Sequence, residues 1–163
     1  MVNLLVIIRG NSATGKTMMA ERIQKILEHK NCFVIHQDVV RKEILHTHDH
    51  YNNPAISLIE ELAEYGLKNY PVTVIEGILR KDVYGEMLTE LLSSQHIHAI
   101  AIYLDMPFSI TVKNDKQKPH SFGESILQKW WREQDKLSEE DLVIKSDSSM
   151  DLLINKIRKI AGL

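Results

Sequence analysis

Apolar and polar positions along this chain alternate between two rhythms. Short unbroken apolar runs read as strands buried on both faces: residues 3–8 (through Leu4-Leu5-Val6-Ile7-Ile8), Cys32-Phe33-Val34-Ile35, Val72-Thr73-Val74-Ile75 and Ala99-Ile100-Ala101-Ile102-Tyr103-Leu104. Leu142-Val143-Ile144 makes a shorter fifth strand. Between them, apolar residues recur at helical spacing. Met19, Ile23, Ile26 and Leu27 predict a helix over 16–29, and a short helix follows from about Val39 to Leu45. Ile59, Leu62, Ala63 and Gly66 mark a helix begun by Asn52-Asn53-Pro54. Tyr84, Met87, Leu88, Leu91 and Leu92 place another over 81–94. Pro107 opens a short helix to about Lys113, residues 122–137 read as one helix, and Leu152, Leu153, Ile157 and Ile160 close the chain over 149–160. Alternating strands and helices predict an α/β fold: a parallel sheet covered on both faces, with right-handed crossovers and ligands at the carboxyl ends of strands.

Composition narrows the class. A chain of 163 residues with 44% hydrophobic content can build one core. No repeat, linker or low-complexity stretch divides it, so residues 1–163 read as a single domain. No apolar run approaches the ~20 residues that span a bilayer. The run before Arg9 is too short for a secretory leader. The single cysteine, Cys32, excludes an internal disulfide and fits a reducing compartment, and its apolar run predicts a buried, inert thiol. The expectation is a cytoplasmic protein without a membrane partner; no obligate protein partner is readable. A net charge of −2 argues against a generic nucleic-acid binder, though not against a local basic groove.

The chemistry is concentrated after the first strand. Gly10-Asn11-Ser12-Ala13-Thr14-Gly15-Lys16-Thr17 is a complete G-x-x-x-x-G-K-[ST] phosphate-binding loop between a strand and a helix. Such a loop turns successive N–H groups inward as an anion nest, and the helix behind it adds its unpaired N–H groups and dipole. Gly10 and Gly15 permit the unusual φ values and the close approach of backbone to phosphate. Lys16 reaches the β- and γ-phosphates, and the Thr17 hydroxyl is a hard oxygen ligand for Mg²⁺. All eight residues are therefore candidates for binding a nucleoside triphosphate.

The other strand ends supply candidate partners. After the second strand, Asp38 and Arg41 lie three apart, on one face of a predicted helix. There Asp38 can accept the proton of an attacking hydroxyl or hold Mg²⁺ through water, and Arg41 can neutralise a phosphate or an acidic substrate. After the third strand, Glu76 suits a water-orienting or Mg²⁺-shell role, Gly77 leaves room for a ligand or a neighbouring backbone, and Arg80 is a further substrate-binding candidate. The polar stretch at about 113–121 reads as a mobile lid bringing Lys113, Lys116 and Lys118 over the phosphates. Beyond it, one of Trp130 and Trp131 is expected to face the core, the other to meet the lid or a base, while Arg132 reaches toward the phosphates. His46, His48 and His50 alternate in a run better read as a solvated loop than as a zinc site. Adenine contacts are expected from the loop at 145–149.

The phosphate loop, Asp38-x-x-Arg41, the strand ending in Glu76-Gly77, and the segment Trp130-Trp131-Arg132-Glu133-x-Asp135-x-Leu137 together resemble the small bacterial P-loop kinases of the zeta-toxin and polynucleotide-kinase-like group, a family of AAA-type ATP-binding kinases. The resemblance covers nearly the whole chain. It implies a three-layer α/β/α P-loop NTPase fold, nucleotide- or shikimate-kinase-like, with five parallel strands in the order 2-3-1-4-5. It implies ATP with Mg²⁺ as cofactors, Asp38 as base and Arg41 as acceptor-binding residue. Lids in related kinases carry arginines where this chain offers lysines, which leaves γ-phosphate stabilisation to those lysines or to Arg132.

Two functions follow. The first is a kinase moving the γ-phosphate of ATP to a hydroxyl of a small molecule, or of a nucleoside or nucleic-acid 5′ end. The second is a nucleotide-binding switch or slow ATPase with no acceptor but water.

Overall fold

The computed structural model describes residues 3–163. Its five strands are β1 (Leu4–Gly10), β2 (Cys32–His36), β3 (Val72–Glu76), β4 (His98–Leu104) and β5 (Leu142–Ile144). They form one parallel sheet in the order β2-β3-β1-β4-β5. The strand that feeds the phosphate loop is thus central and buried along its whole length.

Alternate residues of β1 point to opposite faces, and each face has its own core. Leu4, Val6 and Ile8 pack with Met19 and Ile23 of α1 (Lys16–Leu27) and with Leu153 and Ile157 of α6 (Asp147–Ala161). Leu5 and Ile7 pack instead with Ile59 and Ala63 of α2 (Ala55–Asn69) and Tyr84 and Leu88 of α3 (Lys81–Leu92). The helical stripes in the sequence are the faces that close these layers, giving the expected three-layer α/β/α sandwich. Strand register then places the chemistry. In the parallel β2–β3 pair, His36 is opposite Glu76, and across β1–β3, Ile8 is opposite Glu76. Polar residues that end separate apolar runs therefore meet on one edge of the sheet.

Gly66 of α2 is a contact point between this layer and the sheet. A Cβ there would stand 2.6 Å from Thr73 Oγ1 and 2.7 Å from Phe33 Cδ1. Both obstacles are on neighbouring strands, so the helix would have to lift. Gly66→Ala is expected to destabilise the fold by about 1–3 kcal/mol, read as a lower urea midpoint; an unchanged midpoint would show that the interface has slack.

Three segments differ from the sequence reading. Residues Val39–Ile44 form a π-helical turn rather than an α-helix: Leu45 N–H donates to Val40 C=O at 3.1 Å. Such wide turns recur at functional sites. Next, α4 (Phe108–Lys116) runs past Lys113, leaving a shorter loop at 117–123. The buried Asp115 carboxylate accepts the N–H groups of Phe122 (3.2 Å) and Gly123 (2.9 Å), so the loop is tied back to the helix that starts it.

The third difference is the largest. The helix expected over 122–137 exists only as α5 (Glu124–Trp130), and Trp131 leaves it with extended ψ of 128°. Other elements have captured the backbone that a longer helix would use. Asn11 accepts from Arg132 N–H (3.0 Å) and donates to Arg132 C=O (2.8 Å). Arg9 donates to Asp135 C=O (2.6 Å), and Asp135 N–H donates to the Tyr103 hydroxyl (3.1 Å). Tertiary partners override helical propensity here. Neither tryptophan enters the core. Trp130 packs edge-on against Phe122, with centroids 5.0 Å apart, and Trp131 against Phe108 at 5.3 Å.

Candidate active site

The phosphate loop is built by backbone geometry that its sequence permits. Gly10 has φ +155°, and a Cβ there would lie 2.8 Å from Leu104 C=O and 2.9 Å from Thr14 Oγ1. Gly15, with φ +99°, is the residue before α1, and Lys16, Thr17 and Met18 of that helix's first turn, whose N–H groups lack helical partners, line the phosphate cavity with it. The Thr14 hydroxyl closes the loop on Asn11 C=O at 2.9 Å. Residues from Ser12 to Thr17 line a cavity of about 390 Å³. Asn11 does not: its amide is turned to Arg132.

Lys16 Nζ donates to Asn11 C=O at 2.6 Å inside this loop. Burial pulls its ammonium down to a pKa of about 8, against the opposing pull of Glu76 and Asp38. A bound triphosphate would restore the charged form, so nucleotide binding is expected to take up a proton as pH rises through about 8. Above that pH, ATP affinity is expected to fall by about tenfold per pH unit in the wild type but not in Lys16→Met. Calorimetry in buffers of different ionisation enthalpy checks this; absence of proton uptake at pH 9 would place the free-protein pKa higher.

Beside Lys16, Thr17 Oγ1 donates to Glu76 Oε1 at 3.1 Å, and His36 Nδ1 meets the same oxygen at 2.7 Å. Glu76 is buried at the end of β3 and lines the cavity with Thr17. The hydrogen bond to Glu76 raises the His36 pKa above its ordinary value. A hydroxyl and a carboxylate oxygen opening together onto a phosphate cavity are the hard oxygen donors that Mg²⁺ prefers, so these residues fit that ion. His36 was not foreseen as a site residue; its signal was its place directly opposite Glu76 at the ends of two apolar runs.

A second cavity, of about 640 Å³, opens beside the first. The two share Ser12, Asp38, Ile78 and Phe122, so Asp38 stands at their junction. Its carboxylate is 2.9 Å from Lys42 Nζ and 3.5 Å from Arg41. Arg41, Arg80 and Arg132 line the second cavity only. Arg41 donates to Thr47 C=O at 3.1 Å, and its buried Nε has no partner. Arg80 forks onto Asp82 at 2.6 and 3.1 Å, which raises its pKa. Arg132 therefore lines the second cavity and not the phosphate cavity toward which the sequence placed it. Of the three loop lysines, Lys118 lines the phosphate cavity, while Lys113 and Lys116 lie on α4 away from it. Gly77 makes room for the Gln37 side chain, which a Cβ would meet at 2.6 Å, rather than for backbone. Asp147, in the 145–149 stretch where adenine contacts were expected, is the first residue of α6 and lines the phosphate cavity.

Beneath the site lies a charge that the sequence reading passed over. Arg9 is 1% exposed. It donates to Leu79 C=O (2.9 Å), Asp135 C=O (2.6 Å) and the Asp135 carboxylate (3.0 Å). Burial lowers its pKa and Asp135 opposes that shift. The same Asp135 carboxylate accepts Lys81 N–H at 3.0 Å. Arg9 and Asn11, two neighbours on β1 and its loop, thus hold Arg132 and Asp135 in place. An arginine inside an apolar strand was the available signal.

No protein-family model and no curated protein matches this chain in sequence. Solved structures do match its fold. A gluconokinase from Sinorhizobium meliloti 1021 aligns with a TM-score of 0.66 at 15% identity, over 96% of this chain and 90% of that one. The Mycobacterium tuberculosis APS kinase CysC, solved with AMPPNP and APS, aligns at 0.67 and 14% identity, over 99% of both chains. A shikimate kinase from Bacteroides thetaiotaomicron aligns at 0.57 and 9% identity, over 98% and 99%. The chain shares the fold of these three kinases. Among the described residues, no helix is long and apolar enough to cross a membrane.

Proposed function

We propose that this chain is a kinase that transfers the γ-phosphate of Mg²⁺-ATP to a hydroxyl of a small molecule. The observation that carries the reading is the placement of Asp38 where a phosphate cavity and a second, larger cavity join. A slow ATPase or switch needs only the first of these. Neighbours named as gluconokinase, APS kinase and shikimate kinase share the fold and support the class.

In this reading the loop N–H groups and Lys16 hold the β- and γ-phosphates. Thr17 and Glu76 would hold Mg²⁺, which would supply charge neutralisation on the transferred group. Asp38 takes the proton from the acceptor hydroxyl as its oxygen forms the new P–O bond and the bond to the β-phosphate oxygen breaks. Arg41 and Arg80 hold the acceptor. Lys118 and Phe122 cover the reacting centre from the loop at 117–123, and exclusion of water there favours transfer over hydrolysis. A nucleoside or nucleic-acid 5′ end, the acceptor of the polynucleotide-kinase-like group, is the finer alternative within the same chemistry.

The test follows γ-labelled ATP with Mg²⁺ and a panel of sugars, nucleosides, amino-alcohols and 5′-hydroxyl oligonucleotides, with Lys16→Ala as blank. Label on one acceptor, lost in the blank, supports the kinase. Label released only as free phosphate at the same rate with and without every acceptor supports the ATPase.

A further inference from the structure

The second cavity has a charge that the kinase reading does not require. Five cationic side chains, Arg41, Lys42, Arg80, Lys129 and Arg132, line it. Only two carboxylates do, Asp38 and Asp49. Within a chain of net charge −2, this is a local reversal of sign.

Asp38, at the junction with the phosphate cavity, offsets Lys42 and Arg41 at 2.9 and 3.5 Å. Asp49 accepts the Tyr84 hydroxyl at 2.6 Å and approaches Gln37 Nε2 at 3.5 Å, within a network that Asn53 extends. The cations are unevenly engaged: Arg80 is forked onto Asp82 through Nε and Nη2 at 3.1 and 2.6 Å and Lys42 pairs with Asp38 at 2.9 Å, whereas Lys129 forms no ion pair among the described residues, the buried Nε of Arg41 is unpartnered, and Arg132 meets Asp82 and Asp135 only at 3.5 and 3.6 Å. The guanidiniums are ready-made for a planar or tetrahedral anion, which they can bind through paired N–H groups. Trp130, Trp131 and Phe122 form an apolar side of the same cavity.

We propose that the acceptor is a small anionic alcohol: besides its hydroxyl it carries a phosphate or carboxylate group, bound by Arg80, Lys129 and Arg132 while the hydroxyl meets Asp38. The inference rests on the kinase reading for the word acceptor, but the anion site exists whether or not transfer occurs. Lys129 belongs to α5 and Arg80 precedes α3, so a bound anion ties the loop-side helix to the body of the protein. A neutral sugar leaves Lys129 without an ion-pair partner among the described residues, and a cationic amino-alcohol is repelled.

The chain's only two tryptophans both line this cavity, so their fluorescence reports on it directly. The phosphate loop is first filled with AMPPNP and Mg²⁺, which removes it as a competing anion site. Inorganic phosphate, glycerol 3-phosphate, glycerate and glycerol are then titrated, with a 5′-hydroxyl hexanucleotide in parallel. Saturable quenching is expected from glycerol 3-phosphate or glycerate, and none from glycerol at the same concentrations. Phosphate against carboxylate is settled by which of the two binds more tightly. Lys129→Met, on an exposed position, is expected to weaken that binding by about tenfold without altering AMPPNP affinity; Arg80→Met is the second variant. Equal binding of glycerol, no response to any small anion, an unchanged affinity in both variants, or a response to the hexanucleotide alone each overturns the proposal. The readout involves no turnover, so failed phosphoryl transfer with intact anion binding overturns the kinase reading and spares this one.

Discussion

Asp38→Asn is expected to lower kcat for phosphoryl transfer by about 10²- to 10⁴-fold while the KM for ATP stays within about threefold. The amide keeps the shape of the carboxylate but cannot accept the proton of the attacking hydroxyl. Nucleotide affinity is expected to be spared because, in the proposed mechanism, the γ-phosphate is held by the loop N–H groups and Lys16, with which Asp38 makes no hydrogen bond. Folding is spared too. The Asp38 side chain is 58% exposed, and its pairs with Lys42 and Arg41 are surface pairs of small worth. A base also leaves a signature that a merely structural carboxylate does not: kcat for transfer falls while AMPPNP affinity, measured without turnover, is unchanged. Retention of kcat within about threefold would remove Asp38 as base and return it to the Mg²⁺ shell.

What sequence could show here depended on how local the cause was. The phosphate loop was legible because each of its requirements is met within eight residues: glycine where φ is positive, a lysine, a hydroxyl. The five strands were legible because β1 to β4 are apolar runs in a sheet covered on both faces, and their central-strand order followed from the resemblance. The break after Trp130 was not legible, since nothing in residues 122–137 announces that Asn11 and Arg9 will bind their backbone. The orientation of Arg132 follows from that break. A helix through 137 would carry its side chain elsewhere. Likewise, a run of Asn, Asp, Lys and Gln reads as a floppy lid until Asp115 is seen accepting two N–H groups at the end of the loop. The dual-cavity arrangement around Asp38 required knowing that α3, α5 and the π-helical turn converge, which no single motif encodes.

Asp135→Ala is expected to be among the most damaging single changes in the chain, lowering stability by about 3–5 kcal/mol. Arg9 is nearly sealed inside β1, and Asp135 is the one carboxylate hydrogen-bonded to its guanidinium. Removing that carboxylate leaves a buried cation with only carbonyl hydrogen-bond partners, Leu79 and Asp135, and removes the acceptor of the exposed Lys81 N–H at the start of α3. For a chain of this size the melting temperature should fall by roughly 10 °C. The control is the double variant Arg9→Met with Asp135→Ala. If the cost arises from the stranded charge, removing the charge as well should make the double variant no less stable than Asp135→Ala alone, a non-additivity that independent packing losses would not give. The functional consequence is directional. Arg132 loses its 3.6 Å neighbour and part of the anchorage of its segment, so at temperatures where the variant remains folded, KM for the acceptor should rise more than KM for ATP. A loss of under about 1 kcal/mol, or equal rises in both constants, would show that Arg9 and Asp135 neither hold the fold nor set the acceptor side.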